Sequence, residues 1–392
     1  MTSATVPGTP SVLRGMNNRS VIGLFLEHRV LSRSQISELS GLSKPTASQA
    51  VTRLEAAGLV TQAGEVSQGR GPSAAGYTLS AGRTLGVSID IGARSIRSCI
   101  VDAGGEDHPI SERSLAMTSA AREPVATVQR AIADACEAAG AAPDAVHSVC
   151  LGVQAAVNSR TDTITLTDTL PGWPRNGPGA QLTERLGIPV TIENDVNLAA
   201  VAERRFGAGL GVGDFAYLWM DAGLGLSVDI DGQVHRGFSG SAGELGYLPV
   251  PCTAAKLAPE SRDLQDLIGG AAIARIARDH GVRGRRHSDV LTALETSPAR
   301  DEVLADVAPR VALALEPVLA LIDPEIVVLG GPTGRIGGVE FADLVRTELV
   351  RSSRWSPRIT ATTVEDHPVL RGANALLLED LRTSLFAQVD EL

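Results

Sequence analysis

From residue 85 onward, short apolar runs alternate with longer amphipathic segments, and this alternation restricts the fold more than any other feature of the sequence. The apolar runs of strand length lie at 85–92, 97–102, 148–153, 190–193, 215–220, 226–230 and 325–329. Segments with helical periodicity stand between some of them, at 124–139 and 195–206. Strands that alternate with helices predict an α/β fold whose functional loops follow the strand ends.

The charges are distributed unevenly along the chain. The formal net charge is −10, but residues 1–85 hold eight Lys or Arg and four Glu, so this segment carries +4 and the remainder carries −14. Only the N-terminal segment therefore has the sign needed to bind a polyanion such as DNA.

Other features of the composition exclude several classes of protein. No run of about 18 apolar residues lacks charge or proline, so a membrane span is not expected. The N-terminal residues lack the apolar core of a signal peptide, and we expect a cytoplasmic protein. Cysteines stand alone and form no CxxC pair, so neither a disulfide framework nor a thiolate metal site is expected. They are Cys99, Cys136, Cys150 and Cys252.

The first 80 residues fit a helix-turn-helix. Apolar spacing predicts a helix over 17–28 and a short second helix, capped by Ser32 or Ser34, that ends at Ser40-Gly41. Ser43 then caps a third helix that runs to Ala57, just before a glycine. The alternative is that three short helices form a protein-interaction module.

The third helix has a polar outer surface that suits a major groove. Gln49 can pair with adenine, and Lys44 with guanine or a phosphate. The residues predicted to contact DNA on this helix are Ser43, Lys44, Thr46, Ser48, Gln49 and Arg53. Two short runs, 59–61 and 76–79, predict a β-hairpin wing, and the glycine-rich loop between them presents Arg70 to a minor groove.

The loops that follow the later strands carry motifs of a known family. The matching segments are Ile89–Gly92 with Val101-Asp102, Leu151–Val153, Glu193–Ala200, Ala242–Gly246 and Val327–Gly331. Their order and spacing over residues 84–385 resemble the ROK family (repressors, open reading frames and kinases). The N-terminal winged helix resembles the repressor branch of that family, which includes the xylose and N-acetylglucosamine repressors.

The resemblance implies two actin-like lobes with a cleft between them, behind an N-terminal winged helix-turn-helix. The expected fold class is therefore α/β with an appended DNA-binding domain. The expected boundaries are a flexible N-terminus over 1–15, the winged helix-turn-helix over 16–80, the first lobe over 84–195 with 370–392, and the second lobe over 196–369.

Phosphate-binding loops implied by the resemblance depart from the kinase pattern. Asp195 stands where the kinases of the family have their catalytic base, and Asp90 stands near their metal. The first loop has Arg94 where those kinases have a small hydroxyl residue, although Arg94 could hold a phosphate of the ligand itself. The second loop begins with Asp221, which would repel a triphosphate. The degraded loops comprise Asp90, Gly92, Arg94, Ala222, Gly223, Gly330 and Gly331. We expect no ATP and no kinase activity.

The zinc site implied by the family pattern is also altered. Tyr247 replaces its histidine, and Lys256, Ala258 and Asp263 stand at the three cysteine positions. No thiolate is available there, so no zinc is expected.

A sugar-binding group remains. Asn194, Asp195 and Glu244 keep the family residues, while Tyr247 and Gln265 replace a histidine and a glutamate. Carboxylates and amides suit the hydroxyl groups of a sugar because each can bridge two of them. The alternative is that Asp195 and Glu244 only cap helices.

The leading prediction for function is a sugar-responsive transcriptional regulator, usually a repressor in this family. A sugar or sugar derivative closes the lobes, moves the linker near residues 80–84, and changes the spacing of the winged helices on a double-stranded operator. The resemblance implies a homodimer or a dimer of dimers. Two alternatives stay open: an ATP-dependent hexose kinase, and a DNA-binding dimer that needs no ligand.

Overall fold

The computed structural model describes residues 10–66, 73–80, 82, 84–115, 123–166 and 170–392. The N-terminal domain contains α1 (Pro10–His28), β1 (Leu31–Ser32), α2 (Arg33–Ser40), α3 (Lys44–Ala56), β2 (Val60–Val66) and β3 (Ala74–Leu79). Strand β3 lies between β1 and β2 and pairs antiparallel with both. Three helices followed by a β-hairpin form a winged helix-turn-helix.

Local capping signals fix the helix ends of this domain. Ser32 accepts a hydrogen bond from the Gln35 N–H, and the Gln35 side chain accepts one from the Ser32 N–H at 2.8 Å. This capping box assigns the start of α2 to Ser32 and not to Ser34. Gly41 ends α2 at φ +71°, a conformation that suits glycine, and Ser43 caps α3.

Helix α1 begins earlier than the sequence pattern predicts. It starts at Pro10, so residues 10–15, predicted to be flexible, form its first turns instead. The rest of that predicted segment, 1–9, lies outside the described residues. The helical signal here is weak because Val12 and Leu13 are exposed and, unlike Val21 and Phe25, do not enter the domain core.

The first lobe is built on a five-stranded sheet. Its elements are β4 (Leu85–Ile91), β5 (Ser95–Asp102), β6 (Ser111–Ser114), α4 (Pro124–Ala139), β7 (Val146–Val153), β8 (Ala156–Asn158), β9 (Thr163–Thr165), α5 (Pro178–Leu186) and β10 (Val190–Asn194). The sheet order is β10-β7-β4-β5-β6, with β10, β7 and β4 parallel and the β4-β5-β6 pairs antiparallel. Strands β8 and β9 form a separate hairpin.

The second lobe repeats this topology. After α6 (Asp195–Phe206), its elements are β11 (Phe215–Met220), β12 (Leu224–Ile230), β13 (Gln233–Val234), α7 (Leu264–Ile268), α8 (Gly270–Asp279), α9 (His287–Glu295), α10 (Arg300–Ile322), β14 (Ile326–Gly330), α11 (Gly331–Ser352, kinked at Gly338) and β15 (Arg358–Ala361). Its sheet order, β13-β12-β11-β14-β15, matches that of the first lobe when each is read from its antiparallel edge. Two sheets of equal topology form the two-lobed architecture predicted above.

Helix α6 and the C-terminal helix α12 (Pro368–Asp390) join the lobes. Leu198 of α6 packs with α12, whereas Val196 of the same helix packs with buried residues of the second sheet. A Cβ on Gly372 would lie 1.8 Å from the carbonyl oxygen of Leu198, so only glycine allows α6 and α12 to approach this closely. The boundary predicted at 195/196 thus falls at the start of a helix that both lobes share.

The last turns of α12 lie in the core of the N-terminal domain. Val389 is fully buried there, and Leu385 and Phe386 pack against the same cluster. On the neighbouring surface, Arg19 of α1 forms an ion pair with Asp390 and stacks 5.4 Å from the centroid of the Phe386 ring. One helix therefore contacts the first lobe, α6 and the DNA-binding domain. Within the described residues, no helix is long and apolar enough to cross a bilayer.

Candidate DNA interface and effector cleft

Helix α3 presents a polar surface at its N-terminal end. Ser43 accepts a hydrogen bond from the Thr46 N–H at 3.3 Å, and the two hydroxyl oxygens lie 2.8 Å apart. Lys44 and Gln49 are exposed, while Ala47 and Val51 on the opposite side of the helix are buried. Lys44 and Gln49 therefore point away from the core, as the base-contacting side chains of a recognition helix must.

Arg33, which the sequence analysis missed, holds the recognition helix to the wing. Its guanidinium donates to the Ser48 hydroxyl at 2.7 Å and to the Tyr77 hydroxyl at 3.1 Å, and it stacks 5.0 Å from the Tyr77 ring centroid. The Ser48 hydroxyl is thus already bonded within the protein, which leaves it less free for the DNA contact predicted for it. No local pattern reveals this role, because the three residues are far apart in sequence.

The other predicted DNA contacts differ in their surroundings. Arg53 is half-buried and donates to the Oδ1 of Asn18 at 3.0 Å, so it also fastens α3 to α1. Arg70 of the wing lies outside the described residues. The exposed Lys44 and Gln49 are the predicted contacts that the fold leaves most accessible.

Three carboxylates meet in the cleft, at the ends of strands from both lobes. Asp195 stands in the first turn of α6, and its buried carboxylate accepts a hydrogen bond from the Val196 N–H at 2.9 Å. Burial raises the pKa of Asp195 to about 8, and the charges of Asp90 and Asp221 add to this effect. Burial also raises the pKa of Asp90 to about 6. A protonated Asp195 can donate as well as accept hydrogen bonds, which suits a hydroxyl-rich ligand.

The capping role falls on Asn194. Its Oδ1 accepts from the Asn197 N–H at 2.9 Å, and its Nδ2 donates to the carbonyl oxygen of Ala155 at 3.0 Å. Glu244 makes no cap hydrogen bond to the short 3₁₀ turn that follows it, and burial raises the pKa of this half-buried carboxyl. The alternative reading, in which Asp195 and Glu244 only cap helices, therefore does not describe Glu244.

Gln265 forms two hydrogen bonds to the second of the predicted phosphate-binding loops, the one that contains Ala222 and Gly223. We call this pair of bonds the Gln265 clamp. Its Oε1 accepts from the Leu224 N–H at 2.7 Å, and its Nε2 donates to the Ala222 carbonyl oxygen at 2.9 Å. The structure gives Gln265 this intramolecular role, which the sequence analysis did not predict, beside the ligand contact that stays a prediction. Tyr247, the other substituted position, is 61% exposed. The same loop begins with Asp221, whose carboxylate lies 3.4 Å from Nδ1 of His287.

Residues of the first loop also form contacts within the protein. Arg97, which sequence reasoning missed, lies 3.6 Å from the Asp90 carboxylate, whereas the predicted Arg94 is exposed. Gly92 donates its N–H to the carbonyl oxygen of Ser95 at 3.0 Å and closes the turn.

The glycine pair after β14 is required by packing. A Cβ on Gly330 would lie 2.2 Å from the Tyr217 ring, and one on Gly331, at φ +72°, would lie 2.7 Å from the Met220 backbone.

A hydrogen-bonded network crosses between the lobes beside Asn194. The buried Glu193 accepts from Asn197 Nδ2 at 3.0 Å and pairs with Arg236 of the second lobe. Asn197 in turn accepts from the Ser227 hydroxyl of β12 at 2.9 Å. The start of α6 is therefore fixed to both lobes by side chains that lie next to the cleft.

Residues 86–380, well over half of the chain, match the model of the ROK family. The chain belongs to the ROK family. Residues 24–71, inside the N-terminal domain, match the model of the MarR family. The family predicted from the motifs is thereby confirmed.

Two xylose repressors are similar to this ROK protein. The one from Caldicellulosiruptor bescii is 22% identical over 95% of this chain and 98% of its own. The one from Bacillus subtilis is 26% identical over 65% of this chain and 66% of its own.

Solved structures share the fold. A ROK family transcriptional regulator, a homologue of the Mlc protein of E. coli, superposes with a TM-score of 0.68 at 19% identity, over 97% of this chain and 100% of that one. A ROK glucokinase from Streptomyces griseus in complex with glucose and AMPPNP gives 0.61 at 23% identity, over 74% of this chain and 98% of that one. Together with the family matches they confirm the predicted fold class, a winged helix followed by a two-lobed actin-like domain.

The residues at the ROK zinc position do not fit a zinc ion. Ala258 is buried in the second-lobe core, and Asp263 caps α7 by accepting from the Asp266 N–H at 2.8 Å. Arg310 donates to the Leu257 carbonyl oxygen at 2.8 Å and holds the same loop from α10. Packing and hydrogen bonds thus hold this loop in the described residues. Among the described residues, no three His, Cys, Asp or Glu side chains are grouped so that they could hold a metal ion.

The ROK phosphate loops fit a nucleotide poorly. The Leu224 N–H, which would face a phosphate in a cradling loop, is already bonded to Gln265. Asp221 adds a carboxylate to a cleft that already holds those of Asp90 and Asp195. Triphosphate oxygens need backbone donors and cations, and this group of residues supplies mainly carboxylates.

Proposed function

We propose that this ROK protein is a cytoplasmic DNA-binding transcriptional regulator, a repressor of carbohydrate genes, that releases its operator when a sugar or sugar derivative binds between the lobes. The observation that carries the proposal is the continuity of α12. This helix packs on α6, which bears Asp195 in the cleft, and ends inside the core of the winged helix domain. Continuous side-chain packing thereby connects the cleft, where a ligand would bind, to the domain that carries the recognition helix.

We also propose that kinase activity is lost and that neither ATP nor zinc is bound. The Gln265 clamp on the second loop, the carboxylate of Asp221 and the substitutions at the zinc position support this. The similarity to named xylose repressors over most of the chain supports a regulator rather than an enzyme.

The linker near residues 80–84 is not the sole connection between the winged helix domain and the lobes among the described residues. Arg29, which follows α1, forms an ion pair with Glu106 of the first lobe at 2.5 Å, and Arg382 of α12 donates to the Ala103 carbonyl oxygen at 3.1 Å. The first lobe thus contacts the winged helix domain directly through Arg29, and it contacts α12, whose end lies in the core of that domain, through Arg382. A change in lobe angle moves the recognition helix, and in a dimer it changes the spacing of the two helices on successive major grooves.

Fluorescence anisotropy with labelled duplexes from upstream of neighbouring sugar-uptake genes tests the proposal. The wild type should bind one duplex with salt-dependent affinity, and one sugar of a panel should weaken that binding. Lys44→Ala combined with Gln49→Ala should abolish it, while Arg346→Ala, an exposed arginine of the second lobe, should not. Failure of every duplex to bind would defeat the proposal. An ADP-release assay with hexoses that gave steady turnover would favour the kinase instead.

A further inference from the structure

A cavity of about 470 Å³ is lined by residues of both lobes. One wall is formed by residues 157–160, at the end of β8 in the first lobe, and the other by 234–238 with Gly240 of the second lobe. The two walls are in close backbone contact at one end, because a Cβ on Gly240 would lie 2.1 Å from the Val157 carbonyl oxygen. The volume is that of a small-molecule site.

The side chains that line this cavity have the opposite charge to the domain around it. Its polar lining consists of Asn158, Ser159, Arg160, His235 and Arg236, with no Asp or Glu. The chain beyond residue 85 is strongly acidic, with a net charge of −14. A basic cavity inside an acidic domain attracts anions locally while the surrounding surface repels them. Its specificity therefore favours a small anion over a polyanion.

Arg160 supplies the cation that is not neutralised. Its Nη2 donates to the carbonyl oxygens of Gly237 and Phe238 at 2.9 and 3.3 Å, which hold the guanidinium in place. Within the described residues it forms no ion pair, whereas Arg236 is paired with Glu193, a carboxylate only 6% exposed. A guanidinium fixed by carbonyls and free of a carboxylate partner is preorganised for an oxyanion.

Phe238 adds a surface for the body of the ligand. Its ring is 88% exposed at the rim of the cavity and lies 5.5 Å from the Arg160 guanidinium. Sites for small molecules combine aromatic walls with a few placed polar groups. The apolar face of a sugar ring can pack on such a ring while its charged group meets the arginine.

Polar contacts connect the two walls of the cavity to the start of α6 in the cleft. Asn194 donates to the carbonyl oxygen of Ala155, just before β8, and Glu193, the residue before Asn194, binds Arg236. We infer that this cavity binds the oxyanion of a charged sugar derivative, a sugar phosphate or a sugar acid, and that the effector is such an anion. This inference rests on the proposed function and adds the chemical class of its ligand.

The first test uses inorganic phosphate as the probe, followed by ³¹P NMR line broadening and calorimetry. Phosphate should bind the wild-type protein, and Arg160→Gln should weaken that binding about tenfold, as expected for one charge-assisted contact. Arg160→Lys, which keeps the charge, should lie between them. Arg346→Gln is the matched control and should bind like the wild type. Unchanged binding in Arg160→Gln, or no binding to the wild type, overturns the inference. Retained operator affinity confirms that each variant is folded.

The second test compares each neutral sugar with its phosphate and its uronic acid in the operator assay. The charged form should release the operator at a concentration about tenfold lower than the neutral form, and Arg160→Gln should remove this difference. The arm that responds identifies phosphate or carboxylate as the source of the anion. If a neutral sugar releases the operator as well as its charged forms do, the inference fails and the proposed function stands. If the operator binds but no sugar of any class acts, the effector part of the proposed function fails as well.

Discussion

The end of α12 offers a direct way to separate ligand binding from DNA release. Val389 has 0% exposure and lies in the core of the winged helix domain, although it belongs to a helix that packs on the sugar-kinase-like lobes. Val389→Ala removes two buried methyl groups. At about 0.8 kcal/mol for each group, with a cavity term added, the substitution costs about 2 kcal/mol of docking free energy.

This cost is comparable to the whole coupling between two sites. Allosteric coupling free energies are typically about 1–3 kcal/mol, so a loss of about 2 kcal/mol removes most of what α12 can transmit. Operator affinity without effector should change little, since Lys44 and Gln49 lie on the opposite, exposed side of α3. The ratio of operator Kd values with and without effector should fall towards one.

Two measurements together test whether α12 transmits the effect of the ligand to the winged helix domain. Anisotropy gives the effector ratio, and amide hydrogen exchange of the last turns of α12 shows whether docking is weakened. Val345→Ala in α11 is the matched control, because Val345 is equally buried but lies in the second-lobe core. If Val389→Ala exchanges faster there and yet keeps the full effector ratio, α12 does not carry the signal and the linker near residues 80–84 does.

Three other outcomes follow from the structure. Lys44→Ala should weaken binding to all duplexes about equally and lower the salt slope by about one, and Gln49→Ala should relax preference at one base pair by about 1–3 kcal/mol, both measured by anisotropy at several salt concentrations. Burial raises the pKa of Asp195 to about 8, so between about pH 4 and 8 the folded protein holds a proton at this carboxyl that the unfolded chain has lost. The free energy of unfolding should therefore fall as the pH rises towards 8. Asp195→Asn should flatten this decline in urea unfolding measured at several pH values, and an unchanged slope would contradict the assignment. Gly372→Ala, whose Cβ would lie 1.8 Å from a carbonyl oxygen of α6, should lower the Tm strongly, whereas Gly23→Ala in α1, with nothing within 4 Å, should leave it equal or higher.

Local signals predicted the ends of α2 and α3 well because they are set by residues close in sequence. The Ser43 cap and the Gly41 turn each depend on backbone groups within a few positions, so their residue types identify them. Contacts between distant segments gave no such signal. The Arg33 bond to Ser48 joins two helices, and the Gln265 clamp reaches a loop about forty positions earlier. The family pattern assigned Gln265 to the ligand, because a pattern records position and not the partner of a side chain.

The close contact between α6 and α12 gives the proposed regulation its mechanical basis. The Leu198 carbonyl approaches Gly372 without room for a Cβ, so the two helices are in direct backbone contact at this point. At 1.5 Å per residue, the 23 residues of α12 span about 34 Å. A rotation of the pair by about 5° at the cleft would then displace the far end by about 3 Å, in the range of the interface shifts that switch regulatory proteins. That end carries Val389 in the core of the winged helix domain, so under the proposed function a small closure of the cleft would displace the recognition helix.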